Sequence, residues 1–254
     1  AVGVEGELLA PDTRQPQGKF RAIARRGVIA ASGAVFSPVL LRNSGLRRHV
    51  GEGFQAHPGV ALVGRFSEAV GMGYGATQSY EVRMREHGYK IESLALPPEL
   101  LAARLPGAGA DWQENLGQLD HFAQFCAVHR LRTRGRVRPS RLGGADVTYE
   151  QPPEDLQQIK SSVVLLAKLL FAAGAHEVYP GIGGLPERIH DPSEVERVLS
   201  PEIQRHDFHL LASHHFGTAA AGGDPKRSVV SNSLQAHEAP GLYVMDASVL
   251  PTNM

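Results

Sequence analysis

The sequence predicts a mixed fold, α/β at its two ends and α+β in between. Three observations carry that reading. Near the start, the short continuous apolar run Gly27-Val28-Ile29-Ala30 leads through Ala31-Ser32-Gly33 into a helical segment. In the middle, strand-like pieces are followed by helices, the pattern of an α+β unit with an antiparallel sheet. Near the end, Gly241-Leu242-Tyr243-Val244-Met245-Asp246 reads as a strand closing on an acid.

The elements follow in order. Residues 1–30 read as a strand, a turn-rich stretch (11–18) and two short strands, 21–24 and 27–30. The last is apolar throughout, as in a sheet covered on both faces. Residues 37–46 read as a short helix with Ser37 as N-cap, Pro38 at the first helical position and Gly45 as the stop. Strands are expected over 60–66 and 122–128, with a short helix after Pro97 and Pro98. A long helix is expected over 154–173, because Leu156, Ile159, Val163, Leu166 and Leu170 keep helical spacing and Gly174 ends it. A shorter helix is expected over 193–199, with Ser193 as a capping candidate.

Composition narrows the function classes. The 254 residues hold 26 Lys plus Arg and 26 Asp plus Glu, so no net field draws the chain to nucleic acid or an anionic membrane. The arginine run over 130–138 contains no aromatic residue on which a base could stack, and reads as a solvated strand face. The longest apolar stretch, 163–173, is too short to span a bilayer and is broken by Lys168. No signal peptide is visible, which leaves a cytoplasmic location as the default expectation. The single cysteine, Cys126, excludes an intrachain disulfide and reads as a small buried apolar residue. His206, His209, His214 and His215 are close in sequence, but no acid or cysteine completes a ligand set there, so no metal site is expected.

Four motifs carry chemistry in combination. Gly33-Ala34-Val35-Phe36-Ser37-Pro38-Val39-Leu40-Leu41-Arg42-Asn43-Ser44-Gly45 follows a strand, where a helix N-terminus could meet an anionic group. Val50-Gly51-Glu52-Gly53-Phe54-Gln55-Ala56-His57-Pro58 is a loop with a histidine. Ser213-His214-His215-Phe216-Gly217-Thr218 places a potential proton acceptor beside glycine. The fourth, over 241–252, puts Asp246 and Ala247 at a strand end, where open sheets make ligand contacts. Each has a bland reading as packing, turn or cap.

In this order, the four resemble the glucose-methanol-choline oxidoreductases. Residues 33–45 are similar to that family's Gly-Ala-x-x-Ser/Thr-Pro-x-Leu-Leu-x-x-Ser-Gly-Ile-Gly signature, with Arg47 where the family usually has Gly. Residues 50–58 resemble its Val-Gly-x-Asn-Leu-x-Asp-His segment, with Gly53, Phe54 and Ala56 replacing Asn, Leu and Asp. Residues 213–218 resemble its His-x-x-Gly-Thr block, and 241–252 its Asn-Leu-x-Val-x-Asp-Ala-Ser-x-Phe-Pro-Thr block.

The resemblance implies part of an FAD-binding Rossmann-like domain with an inserted antiparallel-sheet substrate domain. Residues 1–58 and 207–254 would belong to the FAD-binding part and 59–206 to the substrate-binding part. It implies oxidation of a small-molecule alcohol by hydride transfer to flavin N5. His214 would be the base, Ser32 and Gly33 would lie against the dinucleotide, and Asp246 and Ala247 near the ribityl and pyrophosphate. His215 would point the other way and pack.

No Gly-x-Gly-x-x-Gly occurs, and the family's second active-site segment would follow Met254. The chain is therefore expected to be a piece completed by a missing N-terminal portion or a companion chain. A hydroxynitrile lyase of the same fold and a non-catalytic remnant are the alternatives.

Overall fold

The computed structural model describes residues 1–73 and 75–253. Along the chain run β1 (Gly3–Leu9), β2 (Pro16–Ile23), β3 (Val28–Ala30), α1 (Gly33–Asn43), β4 (Glu52–Ala56), β5 (Gly59–Arg65), β6 (Gln78–Met84) and β7 (Tyr89–Leu94). There follow α2 (Pro98–Ala102), α3 (Ala110–Leu116), β8 (Phe122–His129), β9 (Gly135–Pro139), β10 (Ala145–Thr148) and α4 (Pro153–Ala172). The last strands are β11 (Glu177–Tyr179), β12 (His215–Phe216) and β13 (Leu242–Val244). The architecture is the mixed one predicted. The chain divides into two compact units: 1–56 with 133–150 and 214–254, and 57–132 with 151–213.

The first unit has three small sheets. β1 and β2 form an antiparallel hairpin. β10, β9, β4 and β12 form an antiparallel sheet in that order. β3 and β13 pair in parallel, Val28 opposite Leu242 and Ala30 opposite Val244. Their apolar side chains pack with Leu41, Val50, Val230 and Val249 into one buried cluster. α1 begins at Gly33 rather than Ser37, and Pro38 lies inside it. The local cap rule chose Ser37, but an acid distant in sequence meets the helix start four residues earlier.

The second unit is built on the five-stranded antiparallel sheet β11-β5-β8-β7-β6. Val60, Leu62, Ala127 and Ile91 on one sheet face meet Ile159, Val163, Leu166 and Leu170 of α4. These α4 side chains are completely buried, and each fully buried aliphatic side chain of this size contributes about 1.5–3 kcal/mol. The expected helix over 193–199 is a single 3-10 stretch over Glu194–Leu199, and the Ser193 side chain makes no cap bond. Instead the Glu194 carboxylate accepts from the amides of His190 and Asp191, both at 2.9 Å.

His129 is fully buried between the Pro58 carbonyl, 3.1 Å from Nδ1, and the Ser162 hydroxyl, 2.8 Å from Nε2. Burial pushes its pKa down to about 4, keeping the ring neutral. Cys126 is buried as expected, and burial pushes its thiol up to about 12.

Two boundaries differ from the expected domain limits. Residues 133–150, expected in the middle portion, pack with the first unit, because β9 bonds β4, with Glu52 opposite Arg136. Residues 207–213, expected with the returning segment, stay with the second unit. There Leu211 exchanges backbone hydrogen bonds with Gly59, at 2.7 and 3.1 Å. Arg132, Arg134 and Arg136 are exposed, whereas Arg138 donates to the Val50 carbonyl at 3.1 Å and to Glu52 at 2.9 Å. No described helix is long and apolar enough to cross a membrane.

Candidate functional site

The parallel pairing of β3 with β13 decides the geometry of the site. Both strands run the same way, so the residues that follow them emerge at the same edge. Ser32 and Gly33 follow β3; Asp246 and Ala247 follow β13. Four of the five residues singled out in the sequence are thereby brought together, at the strand edge where open sheets hold ligands.

Asp246 ties the two turns. One carboxylate oxygen accepts from the Gly33 amide at 2.9 Å and from the Ser37 hydroxyl. The other accepts from the Ser248 amide at 2.8 Å. The Ser37 hydroxyl in turn accepts from the Ser32 amide at 2.9 Å. A carboxylate at a helix N-terminus meets both free N–H donors and the positive end of the dipole. The anion that meets the N-terminus of α1 is thus the chain's own Asp246.

The segment that follows His214 is tied to this turn along the chain. His215 and Phe216 pair with Ala56 and Gln55 of β4. The Thr218 hydroxyl donates to the Ala34 carbonyl at 2.7 Å, inside α1. The amides of Ala219 and Ala221 donate to the carbonyls of Ser248 and Val249, at 2.9 and 2.8 Å. The His214 segment is therefore anchored to both turns that carry the other four residues. His214 itself is exposed. His215 stacks on Phe54, ring centroids 5.4 Å apart, and Tyr149 meets the same ring edge-on at 5.7 Å.

Glycine does specific work at two places. Gly217 has φ +85°, and a Cβ there would sit 2.3 Å from the Gly53 carbonyl oxygen. The backbones of β12 and β4 approach too closely for any side chain. Gly53 has φ +72°, a conformation that asparagine also adopts, and its nearest neighbour would lie at an ordinary 3.5 Å. The exchange of asparagine for glycine at 53 therefore preserves the backbone.

Two observations fit a bound cofactor at the strand edge. Gly33 has φ +77° and nothing within 4 Å of where a Cβ would stand, so the strand-to-helix turn faces open space. The Ser248 hydroxyl is buried with no hydrogen-bond partner. Among the described residues, no cluster of three or more His, Cys, Asp or Glu could hold a metal ion.

Sequence reasoning missed three participants. Thr218 was only part of a motif; its signal is Pro38, whose missing amide leaves the Ala34 carbonyl needing a donor. Gln55 and Asn253, both buried, close β4 against the end of the chain. The Asn253 amide donates to Gln55 Oε1 at 2.9 Å, and its side chain donates to the Ala56 carbonyl at 3.1 Å. Neither has a sequence signal, because the pairing is non-local.

Known proteins resemble this chain in sequence and in fold. Two family models, both described as GMC oxidoreductase, match residues 1–59 and 132–254. An uncharacterized GMC-type oxidoreductase of Mycobacterium tuberculosis is 35% identical over 97% of this chain and 39% of its own length. The long-chain-alcohol oxidase FAO1 of Arabidopsis thaliana is 27% identical over 88% of this chain and 32% of its own length. Among solved structures, formate oxidase from Aspergillus oryzae superposes with a TM-score of 0.68 at 16% identity, over 92% of this chain and 52% of that one. The chain thus spans well under half the length of these sequence relatives. With family models of this one description matching residues 1–59 and 132–254, the chain belongs to the GMC oxidoreductase family.

Proposed function

We propose that this chain is part of an FAD-dependent oxidoreductase that oxidises a small-molecule alcohol, with His214 accepting the hydroxyl proton. The observation that carries this reading is the joining of Ser32–Gly33 to Asp246–Ala247 at one strand edge, with the His214 segment anchored to both. The Arabidopsis relative is an alcohol oxidase, which supports the reaction class. Formate oxidase, which shares the fold, is an FAD protein, which supports the cofactor.

FAD, when bound, supplies the acceptor for the hydride that leaves the substrate carbon. The chain's residues do the rest. The open turn at Gly33 lets a ligand backbone approach closely. Asp246 fixes that turn by accepting from Gly33 and Ser37, so its role is to hold the cradle as much as to touch the ligand. Ala247 extends the same edge. An imidazole within hydrogen-bond reach takes the hydroxyl proton as hydride departs, and His214 is exposed to do so. The second unit, with its antiparallel sheet, binds the substrate. On this reading the pyrophosphate-cradling loop would come from polypeptide outside these residues.

The test is His214→Ala in the complete protein. Alcohol oxidation should fall roughly 10²–10⁴-fold, the usual worth of a positioned acid or base, with the flavin absorption band retained. Near-normal turnover would overturn the role given to His214, and failure of the unaltered complete protein to retain FAD would overturn the cofactor assignment.

A further inference from the structure

The five-stranded sheet of the second unit closes one of its edges and leaves the other open. At the β11 edge, Val178 exchanges backbone hydrogen bonds with Ile189, both at 2.9 Å. At the opposite edge, among the described residues, β6 pairs with β7 and with no other strand. A strand with one neighbour presents a row of unpaired N–H and C=O groups on its outer side. The common protections of such an edge, lysine and proline, are both missing from β6. Its one register shift lies between Gln78 and Glu81, and from Glu81 to Met84 the pairing is regular. Tyr80 is 82% exposed and Val82 58% exposed, although Val82 stands opposite the buried Ile91.

Charge gives this edge a specific complement. Register sets Glu81 opposite Glu92 and Arg83 opposite Lys90, two like-charge pairs on one face of the β6–β7 pair. Like charges directly opposite each other destabilise a sheet. The relief within the chain is diagonal: Lys90 reaches Glu81 at 3.2 Å and pairs with Glu92, and Arg83 pairs with Glu81. A strand laid along the outside of β6 relieves both rows directly if it sets a cation opposite Glu81 and, two residues away, an anion opposite Arg83.

β6 is itself such a strand. When a second copy lies antiparallel to it, with Val82 opposite Val82, Glu81 of each copy meets Arg83 of the other. Each row across the four strands then reads anion, anion, cation, cation. Tyr80 stands opposite Met84 of the second copy, and the two Val82 side chains meet on the two-fold axis. The charges also fix the register, because sliding one strand by two residues sets Glu81 against Glu81 or Arg83 against Arg83.

We propose that β6 is a self-association edge. Two copies of the protein join there, antiparallel about Val82, and their five-stranded sheets become one continuous sheet with an isologous interface. The inference stands apart from flavin and substrate.

Sedimentation equilibrium of the complete protein in the micromolar range tests it, with a monomer–dimer equilibrium as the expected result. Glu81→Arg and Arg83→Glu should each weaken the dimer at least tenfold, because two-fold symmetry turns each substitution into two like-charge pairs. Both side chains are exposed, so circular dichroism should be unchanged in each variant. An equimolar mixture of the two variants should recover the dimer, since one strand then carries two cations and the other two anions. The double variant, Glu81→Arg with Arg83→Glu, should recover it as well. A monomeric complete protein would overturn the proposal, whether β6 is then bare or covered by another segment of the polypeptide. A dimer whose affinity neither reversal changes would place the interface elsewhere and overturn it too. So would weakened variants that regain no dimer either on mixing or in the double variant.

Discussion

The Thr218 hydroxyl donates to the carbonyl of Ala34 at 2.7 Å, and it is the donor that α1 itself cannot supply. In an unbroken helix that carbonyl would accept from the amide of residue 38, and residue 38 is a proline. The Ser-Pro pair in one motif and the Gly-Thr pair in another, far apart in sequence, thus form one hydrogen-bonding arrangement.

The first prediction follows directly. Thr218 is completely buried, so Thr218→Val strands the Ala34 carbonyl and should destabilise the chain by about 1–3 kcal/mol. Pro38→Ala restores the helical amide, so Thr218→Val should cost less in that background. A double-mutant cycle by urea unfolding measures the coupling; strictly additive effects would show that the two residues do not share the carbonyl.

Gly217 tests the close approach of β12 to β4. Gly217→Ala places a methyl group against the Gly53 carbonyl at a positive φ. The expected loss is about 2 kcal/mol or more, read as a lower urea midpoint at unchanged slope. Gly53→Asn, at an open positive-φ position, should change the midpoint by only a few tenths of a kcal/mol.

Asp246 is predicted to be structural as well as local to the site. Asp246→Asn keeps the shape but presents an amide to a set of donors. Loss of charge-assisted bonds predicts a destabilisation of roughly 1.5–3 kcal/mol. Hydrogen exchange should show it as faster exchange of the Gly33 and Ser248 amides; unchanged protection at both would contradict this bracing.

His129 gives the second unit a pH dependence of definite sign. Its folded pKa, about 4, lies below the ordinary 6.5, so between these values the unfolded chain binds more protons than the folded one. Stability should therefore be fully present above pH 6.5 and decline as pH falls toward 4, by on the order of 3 kcal/mol from this residue. Urea unfolding of His129→Gln should show a flatter profile across that window, and an identical slope in both proteins would assign the titration elsewhere.

Legibility in the sequence followed the range of the interactions. α4 was visible to within a residue at each end, because aliphatic spacing and a terminal glycine are local signals. β5 and β8 were visible for the same reason. The start of α1 was misplaced because the group that meets it is Asp246, and the packing of 133–150 with the first unit was not visible because its sheet partner, β4, comes much earlier in the chain. The candidate residues came from motif text, but that text does not say that Asp246 binds Gly33 and Ser37, or that Thr218 answers Pro38. Both facts depend on which strands lie side by side.

The pairing of β3 with β13 also sets a timetable. Gly33 and its carboxylate partner are 213 residues apart. At the pace of a ribosome, about 5–20 residues per second, the first turn waits roughly 10–40 s for the strand that completes it. During that interval Ile29, which stays 60% exposed even in the folded chain, has no neighbouring strand of this pair to lie against. The α4-covered sheet is complete in sequence before β13 is made, so the β3–β13 edge closes after it. A nascent chain stalled before residue 242 should carry a folded second unit and an unfinished first one, and chaperone demand should fall on β3 and the turn that follows it.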